Sequence, residues 1–287
     1  MSRAVHLSKA KSILLLSLIY LLSAAPVILS PFVVDRFFLA LFLGDLASTF
    51  IIWVFSVIFD NVSLYDAYWS THPLLIAIYA FIHFRAFGIY HIICLAVFAF
   101  WSIRLTYNCL LRFRGMDHED WRYSDWRPKM GRFYHPFAFI AFMLMETVVV
   151  YIALFPLLMF FAIGASPFSL IGAGVVLLGT LMELFADIQM EKSHAIAPGK
   201  TCQIGIWKYS RHPNYLGEML IWLGLYLMLL LSDPSHGWMH FVGFVLIVIL
   251  FSFASIPMME KRQLARRPDY EEYKKRTSVL LPLPPKK

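Results

Sequence analysis

The most informative segment of the chain reads Gln203-Ile-Gly-Ile-Trp-Lys-Tyr-Ser-Arg-His-Pro-Asn-Tyr-Leu-Gly-Glu218. Its polar residues crowd against a long apolar run, Met219 to Leu231, so the segment predicts a place where a membrane helix meets water. Pro213 suits the first turn of that helix, because its missing N–H would lack a partner there anyway. The free N–H groups and the positive end of the helix dipole then predict an anion site, with Arg211 and His212 alongside.

The composition is that of a polytopic membrane protein. Of the 287 residues, 60% are hydrophobic and only 15% are charged, whereas about 25% of the residues in a soluble domain are charged. In a soluble protein the net charge of +7 would favour a nucleic-acid partner. Here the basic residues lie in loops and tails, as they do on the cytosolic side of membrane proteins. We therefore predict membrane lipids and no nucleic acid as partners.

Seven apolar runs are long enough to cross a bilayer, and they lie at about 13–34, 37–59, 86–110, 136–164, 167–187, 214–231 and 239–258. A shorter run, 73–84, covers only about 18 Å of a hydrocarbon core near 30 Å. It is either a short span that continues from Tyr65–Trp69 or a re-entrant segment. The sequence thus predicts an all-α membrane bundle of seven to eight transmembrane helices. We expect an N-terminal transmembrane segment at 1–36 and one membrane domain at 37–287.

The charged segments predict the orientation of the chain. Three of them, 111–135, 188–213 and 259–287, are separated from one another by two spans each and therefore share one face of the membrane. They contain most of the Lys and Arg residues, so that face is expected to be cytosolic. We accordingly expect the chemistry on the cytosolic side of a multi-pass membrane protein.

Two polar groups on membrane helices are candidates for a cofactor site. Near the end of the 167–187 run, Glu183 and Asp187 are four residues apart and share a helix face with Gln189 close by. Carboxylates at this depth face either a cavity or a basic partner on a neighbouring helix, and both interpretations remain open. Earlier in the chain, another span ends in three polar residues spaced by four, Arg104, Asn108 and Arg112, which suit phosphate binding. Interfacial snorkelling also explains Arg112.

Other polar residues allow a functional and a structural interpretation. Asp66 lies among aromatic residues and either acts on a substrate or caps a helix in an interfacial aromatic belt. Asn61-Val-Ser63 matches a glycosylation sequon, which stays unused if 73–84 spans and places it on the cytosolic face. The tail from Glu260 to Tyr273 either faces lipid or closes over a nucleotide phosphate. Asp117–Asp120 reads as a helix start, and internally paired structural groups are expected at Asp45, His83 and His91.

Several familiar signatures are absent. No His-Glu-x-x-His, P-loop or paired-Cys motif occurs, and we expect no metal. Cys94, Cys109 and Cys202 form no pairable framework and read as small buried hydrophobes. Gly172-Ala-Gly174 lies within a span with no preceding strand, so it is not a dinucleotide fingerprint. A nucleotide cofactor would therefore have to be held by membrane helices and their loops.

Across roughly residues 37–283 the chain resembles the family called domain of unknown function 1295, grouped with steroid 5-alpha-reductase-like membrane reductases. The markers of this resemblance are Trp101…Arg104-Leu-Thr-Tyr-Asn108, Gly115…Glu119-Asp-Trp-Arg-Tyr123, Ala186-Asp-Ile-Gln189 and Gly205-Ile-Trp-Lys-Tyr-Ser-Arg-His-Pro-Asn-Tyr-Leu-Gly-Glu218. Steroid 5-alpha reductases and sterol C14 reductases carry a similar Asn-Tyr-x-Gly-Glu/Asp element. The resemblance implies an NADPH site, here expected from segments 101–123, 183–218 and 259–278.

Individual roles follow from the resemblance. Asn214 and Asp187 match positions that contact the cofactor, and Tyr215 and Glu218 belong to the same element. Glu218 is expected on the catalytic side, where it orders the site. The expected cofactor-binding set contains Asp187, Asn214 and Tyr215 together with Arg104, Asn108, Arg112, Gln189, Arg211 and His212. The Glu/Tyr pair that polarises the enone carbonyl in steroid reductases has no clean counterpart. Asp66 and Tyr107 are the candidates that face the substrate.

Three functions therefore compete. The first is NADPH-dependent reduction of a carbon–carbon double bond in a lipid such as an enone sterol or an enoyl lipid. The segment after Gln189 is short and less basic than is usual in the family, which weakens a preference for the 2′-phosphate. The second is methyl transfer from S-adenosylmethionine, because isoprenylcysteine methyltransferases share Arg-His-Pro-x-Tyr-x-Gly and a similar tail. The third is a non-catalytic lipid-binding protein. An endoplasmic-reticulum location is expected only by analogy.

Overall fold

A computed structural model describes residues 7–286, apart from the side chain of His236. Within these residues the regular structure is helical, with one isolated bridge between Ser210 and Ser278, so the predicted all-α fold is confirmed. We label the longer helices α1 to α10; they are Lys9–Leu29, Phe37–Ile58, Tyr68–His83, Ile89–Arg112, Met145–Ile163, Ser169–Ile196, Pro213–Leu230, Val242–Leu250, Ile256–Arg266 and Tyr270–Arg276. A π-helical turn, Phe251–Ser255, joins α8 to α9.

In the described part of the chain, seven helical segments are long and apolar enough to cross a membrane. They are Lys9–Phe32, Phe37–Ile58, Ile89–Arg112, Trp121–Ile163, Ser169–Ile196, Pro213–Leu230 and Trp238–Arg266. The chain is thus an integral, multi-pass membrane protein, as predicted. The short apolar run at 73–84 belongs to α3, which has 16 residues and starts at Tyr68. This helix starts within the aromatic segment Tyr65–Trp69 but is not among the seven candidate spans, so the choice between a short span and a re-entrant segment stays a prediction.

The chain divides into two compact units, the first comprising Met1–Ala86 with Ser102–Ile152 and the second comprising Phe87–Trp101 with Ala153–Lys287. In the first unit, buried hydroxyls connect α2 and α3. Tyr68 donates a hydrogen bond of 2.7 Å to Oδ1 of Asp45, and Thr49 donates one of 3.1 Å to the Tyr68 hydroxyl. Asp45 is therefore an internally paired group, as the sequence indicated.

In the second unit, α6 and α7 pack against each other through glycines. A Cβ at Gly217 would lie 2.7 Å from the Gly179 carbonyl oxygen, and one at Gly224 would lie 2.7 Å from the Gly172 carbonyl oxygen. Both distances are too short for any side chain, so the two backbones touch directly, as small residues allow in membrane helices. Gly172, from the Gly172-Ala-Gly174 stretch noted in the sequence, is thus one of the residues at which the two helices pack closely. The close packing fixes the start of α7 beside the end of α6.

Candidate functional site

The candidate site lies at the start of α7, in the second unit. The helix begins at Pro213, which confirms the prediction from sequence, and its N-cap residue His212 forms no capping hydrogen bond through its side chain. The imidazole of His212 instead stacks on Tyr215, with ring centroids 5.2 Å apart and planes 10° apart. The first turn therefore carries backbone N–H groups without a side-chain cap, which is the arrangement that favours anions.

Asn214 is the polar side chain that this turn leaves available. It is half-buried on the first turn of α7, and its amide forms no hydrogen bond with any residue that the structure describes. An amide presents two N–H donors and one carbonyl acceptor. Next to uncapped backbone N–H groups, Asn214 can therefore bind a polar, anionic ligand without first giving up a protein partner.

Glu218, one turn later, is held from two sides. The indole N–H of Trp222 donates to Oε1 at 2.8 Å, and that of Trp101 donates to Oε2 at 3.0 Å. The carboxyl side chain is buried, with only 2% of its residue surface exposed. Two charge-assisted bonds of this kind hold a buried carboxylate in place. This geometry supports the ordering role predicted for Glu218, and a direct role at the reacting atoms stays a prediction.

Arg211 is bound within the protein. Its Nε donates to Oε1 of Glu260 at 2.7 Å, and its Nη1 donates to the carbonyl oxygens of Lys274 and Thr277 at 2.8 and 2.5 Å. Lys274 completes the cluster at 2.8 Å from Oε2 of Glu260. Arg211 therefore attaches the end of the chain to the start of α7. The sequence-based prediction that it also contacts a cofactor stays a prediction.

Backbone contacts reinforce that attachment. The N–H groups of Arg211 and His212 donate to the carbonyl oxygens of Ser278 and Val279 at 2.8 and 3.2 Å. The Tyr273 hydroxyl donates to the Trp207 carbonyl oxygen at 2.5 Å. The C-terminal segment thus forms the wall beside Asn214. Sequence reasoning included 259–278 in the site but could not find these contacts, because backbone-to-backbone pairing across more than sixty residues leaves no residue pattern.

The turn before α7 is also fixed to the end of α6. Oε1 of Gln189 accepts a hydrogen bond from the Ile206 N–H at 2.8 Å, and the Trp207 indole donates to the Ala186 carbonyl oxygen at 2.9 Å. Gly205 has φ of +55°, and a Cβ there would lie 2.3 Å from the Gln189 side chain. The family marker around Gln189 and Gly205 is thus a structural contact, and the expected cofactor contact of Gln189 would share an oxygen already in use.

Glu183 and Asp187 lie on α6 beside this turn. Glu183 is buried, Asp187 is half-buried, and both take part in contacts within the protein. Glu183 also adjoins the glycine contact, since its Cγ would lie 2.7 Å from a Cβ at Gly217. Their four-residue spacing on a continuous helix confirms that they share a face. Whether Asp187 contacts a cofactor stays a prediction.

A carboxylate at the far end of the same wall is fixed by a threonine. Asp269 accepts a hydrogen bond of 3.0 Å from the Thr201 N–H and one of 2.9 Å from the Thr201 hydroxyl. Burial works to raise the pKa of Asp269, but these two bonds outweigh it and the pKa is lowered. The charged form of Asp269 therefore joins the loop after α6 to the helix α10.

The remaining candidates lie in the first unit. Arg104, Asn108 and Arg112 follow one stripe of α4, as predicted from their spacing, and each has contacts within the protein. Tyr107 is 63% exposed on the same helix. Asp66 accepts hydrogen bonds from Arg122 at 2.9 Å and from the Tyr123 hydroxyl at 2.7 Å. Burial raises the pKa of Asp66, against the opposing charge of Arg122.

The marker Glu119-Asp-Trp-Arg-Tyr123 forms a closed polar cluster. Glu119 accepts hydrogen bonds from Arg127 at 2.5 Å, from the Tyr134 hydroxyl at 2.8 Å and from the Val62 N–H at 2.8 Å. Arg127 also binds Asp60 at 2.6 Å. Asp120 accepts from the Arg122 N–H and caps a short helix at Trp121–Ser124, so the predicted helix start is confirmed. The residues of this family marker therefore have a structural role in the first unit.

Three further sequence observations have structural outcomes. Asn61 of the sequon is buried, and its amide donates to the carbonyl oxygens of Met116 and His118, so the amide is not accessible to a glycosyltransferase. His83 is exposed but stacks on Phe37 with ring centroids 3.8 Å apart, and the half-buried His91 lies 3.3 Å from the Phe160 carbonyl oxygen, so each has a contact within the protein but only His91 is shielded from solvent. Within residues 7–286, no group of three or more His, Cys, Asp or Glu side chains could hold a metal ion.

Comparisons with known proteins identify the family of the chain and one relative. The sequence profile described as "Protein of unknown function (DUF1295)" matches residues 52–277. A protein of Schizosaccharomyces pombe named "Uncharacterized protein C594.04c" is 26% identical over 288 residues of alignment, which cover 88% of this chain and 80% of the yeast protein. No solved structure matches the chain.

Proposed function

Because the chain belongs to the family described as Protein of unknown function (DUF1295), whose name states no activity, we propose a function from the residues themselves. The protein is a membrane-embedded reductase that uses NADPH to reduce a carbon–carbon double bond in a lipid, such as an enone sterol or an enoyl lipid. The observation that carries this proposal is the unbonded amide of Asn214 beside the uncapped start of α7.

The residues of this turn suit a phosphorylated cofactor. Uncapped backbone N–H groups and the positive end of the helix dipole attract an anion. The Asn214 amide can donate to it, and the half-buried ring of Tyr215, stacked on the buried His212, lies next to the same turn. We assign cofactor binding to Asn214, Tyr215 and His212, with Asp187 as an acceptor for a hydroxyl group. Asn214, Tyr215 and Asp187 are also positions that the resemblance to steroid reductases implies.

NADPH would supply a hydride, and the protein would bind and orient the cofactor and exclude water. The membrane helices give a lipid substrate a route to the site without leaving the bilayer. Glu218 keeps the first turns of α7 in place through its two indole donors. A polar group must also stabilise the negative charge that develops on the substrate oxygen. For that role Asp66 and Tyr107 stay the candidates, as in the sequence interpretation.

The location is part of the same proposal. We assign the start of α7 to the cytosolic side, since the charged segments before α7 and after α9 contain many of the Lys and Arg residues. NADPH is available on that side. By analogy with the reductases that the chain resembles, we propose the endoplasmic reticulum as the membrane.

The proposal is tested by thermal-shift titration of detergent-purified protein with NADPH, NADH and S-adenosylmethionine. A ligand that binds only the folded state stabilises it by about 2.7 kcal/mol at 100 times its Kd. We expect NADPH to stabilise the wild type and the control Gln203→Ala, which removes an exposed amide from the same segment. Asn214→Ala should need more NADPH for the same shift. If NADPH produced no shift, or an equal one in Asn214→Ala, the proposal would be wrong.

One observation favours methyl transfer as a second candidate. The tail residues shared with isoprenylcysteine methyltransferases, Glu260 and Tyr273, contact Arg211 and the carbonyl oxygen of Trp207. The tail is thus part of the wall of the site in this protein. Stabilisation by S-adenosylmethionine without stabilisation by NADPH would establish this candidate over the first. Methyl transfer to a prenyl thiol or a lipid in vesicles would then be the activity to measure.

A further inference from the structure

A groove lies along α9 and α10, beside the wall of the candidate site. It has a volume of about 460 Å³ and is lined by Ile256, Pro257, Glu260, Lys261, Leu264 and Lys274. The volume falls within the range of small-molecule sites, about 300–1,000 Å³. The lining thus combines three apolar side chains with two lysines and one glutamate. This combination of apolar side chains and ammonium groups suits a ligand that has both an apolar and an anionic part.

The groove lies where the last membrane span ends. No Asp, Glu, Lys or Arg occurs from Pro234 to Met259, and charge begins at Glu260 and Lys261. The span itself continues in one helical segment from Trp238 to Arg266. The change from apolar to charged residues marks the depth of the lipid headgroups. The groove therefore opens where a phospholipid has its phosphate and the first carbons of its acyl chains.

The charges of the groove suit an anion. Lys261 is exposed and forms no ion pair or hydrogen bond with any residue described in the structure. Lys274 reaches the groove from α10 and is held 2.8 Å from Oε2 of Glu260, while Oε1 of that carboxylate is bound to Arg211. The Glu260 carboxylate is thus paired with Arg211 and Lys274, His212 Nε2 lies 3.5 Å from its Oε1, and Lys261 adds an unpaired positive charge to the lining of the groove. The cluster keeps a positive excess that an incoming phosphate can neutralise.

We propose that this groove binds the headgroup of an anionic phospholipid from the surrounding membrane. Lys261 and Lys274 contact the phosphate, and Ile256, Pro257 and Leu264 contact the glycerol and the first methylenes of the acyl chains. Leu264 is 42% exposed, so its side chain is available for that contact. Neither the proposed reductase activity nor the Asn214 site is needed for this binding.

Lipid binding here would also stabilise the wall of the candidate site. Lys274 belongs to α10, whose carbonyl oxygen at the same residue accepts from Arg211. A phosphate that holds Lys274 therefore helps to hold the segment paired with Arg211 and His212. We expect anionic lipid to raise the Tm of the full chain in detergent, whether or not a cofactor is present.

The test compares two lysine variants of the full chain. Lys261→Gln removes the groove charge, and Lys275→Gln removes an exposed charge of the same helix pair that does not line the groove. Phosphatidylglycerol and phosphatidylcholine are titrated in mixed micelles, and bound lipid is counted by native mass spectrometry. We expect Lys261→Gln to weaken phosphatidylglycerol binding about fivefold, the effect of one lysine near an anionic surface. Lys275→Gln should change it less than twofold.

Two further arms separate lipid from other phosphates. Leu264→Ser should weaken the binding of phosphatidylglycerol, because it removes an apolar side chain that contacts the acyl chains. Millimolar inorganic phosphate should not displace the lipid, because phosphate makes no acyl contact. Equal losses in the two lysine variants, or equal binding of the two phospholipids, would overturn the proposal. So would displacement by inorganic phosphate. A Lys261→Gln variant that lost NADPH affinity and kept phosphatidylglycerol would assign the groove to the cofactor instead.

Discussion

The Glu119 cluster of the first unit and the start of α7 in the second unit use similar polar residues differently. Around Glu119, each oxygen of the carboxylate accepts from at least one donor, and Arg127 is shared between Glu119 and Asp60. At the start of α7, the Asn214 amide has no partner among the described residues, and no side chain caps the helix. Polar groups that are fully bonded hold structure, whereas an available amide beside uncapped N–H groups can bind a ligand.

Arg211 is the residue that best tests this distinction between bonded and available polar groups. It lies three residues before Asn214 in the sequence, but its side chain is hydrogen-bonded within the protein, as that of Glu119 is. Arg211→Ala should lower the free energy of unfolding by about 3 to 5 kcal/mol, because it leaves a largely buried Glu260 without its closest cation. The Tm of the purified protein measures this loss. Arg211→Lys, which keeps the charge without the guanidinium fork, should recover part of it. A stable Arg211→Ala protein that had lost NADPH binding would place Arg211 with Asn214.

Within the first region, Glu119→Gln should cost about 1.5 to 3 kcal/mol, because it weakens charge-assisted bonds from Arg127 and Tyr134. Thermal unfolding in detergent is the measurement. Asp125→Asn is the control, since Asp125 is an exposed carboxylate of the same connection, and we expect its Tm to match the wild type. Equal effects of the two substitutions would mean that the Glu119 cluster contributes no more than an exposed charge.

In the second region, Asn214→Ala should leave the free energy of unfolding within about 0.5 kcal/mol of the wild type, because the amide has no protein partner to lose. The same change should raise the Kd for NADPH about two- to tenfold, the effect of one hydrogen bond. Parallel thermal-shift and binding titrations measure both numbers. A large loss of stability with unchanged Kd would reverse the comparison and make Asn214 a structural residue.

The smallest expected effect is on the pH dependence of the first region. Burial works to raise the pKa of Asp60, but hydrogen bonds from Arg127 and His135 outweigh it, so the folded pKa is lowered. Asp60 therefore stabilises the fold above its unfolded pKa, about 3.9, and this contribution is lost as the pH falls through the lower, folded pKa. The side chain is 32% exposed, so solvent screening keeps the effect modest.

Asp60→Asn checks this dependence. Between pH 6 and pH 3, the Tm of the wild type should fall more steeply than that of the variant, because the variant has no carboxylate to protonate at this position. Identical slopes for the two proteins would show that the Asp60 pairs with Arg127 and His135 contribute nothing to acid stability.

Much of the fold could be predicted from sequence, because a membrane helix is recognised from the hydropathy of consecutive residues. The seven apolar runs, the helix start at Pro213 and the capping role of Asp120 all follow from neighbouring residues. The candidate site was harder to predict. Asp66 allowed two interpretations, a substrate contact and a helix cap, and its hydrogen bonds from Arg122 and Tyr123 come from residues more than fifty positions later in the sequence. No local pattern in the sequence reveals such partners, and the substrate contact of Asp66 stays a prediction.

The all-α, multi-pass membrane fold, the family of the chain and the segments that contain its polar residues can be derived from local sequence, because hydropathy and motifs are properties of adjacent residues. Which of those polar residues have partners follows from the packing of the helices and is not visible in the sequence. Glu260 reached Arg211 across 49 positions, and Ile206 reached Gln189 across 17, whereas Asn214 found no partner in the described chain. Hydrogen bonding depends on distance in space, and the helix packing sets that distance.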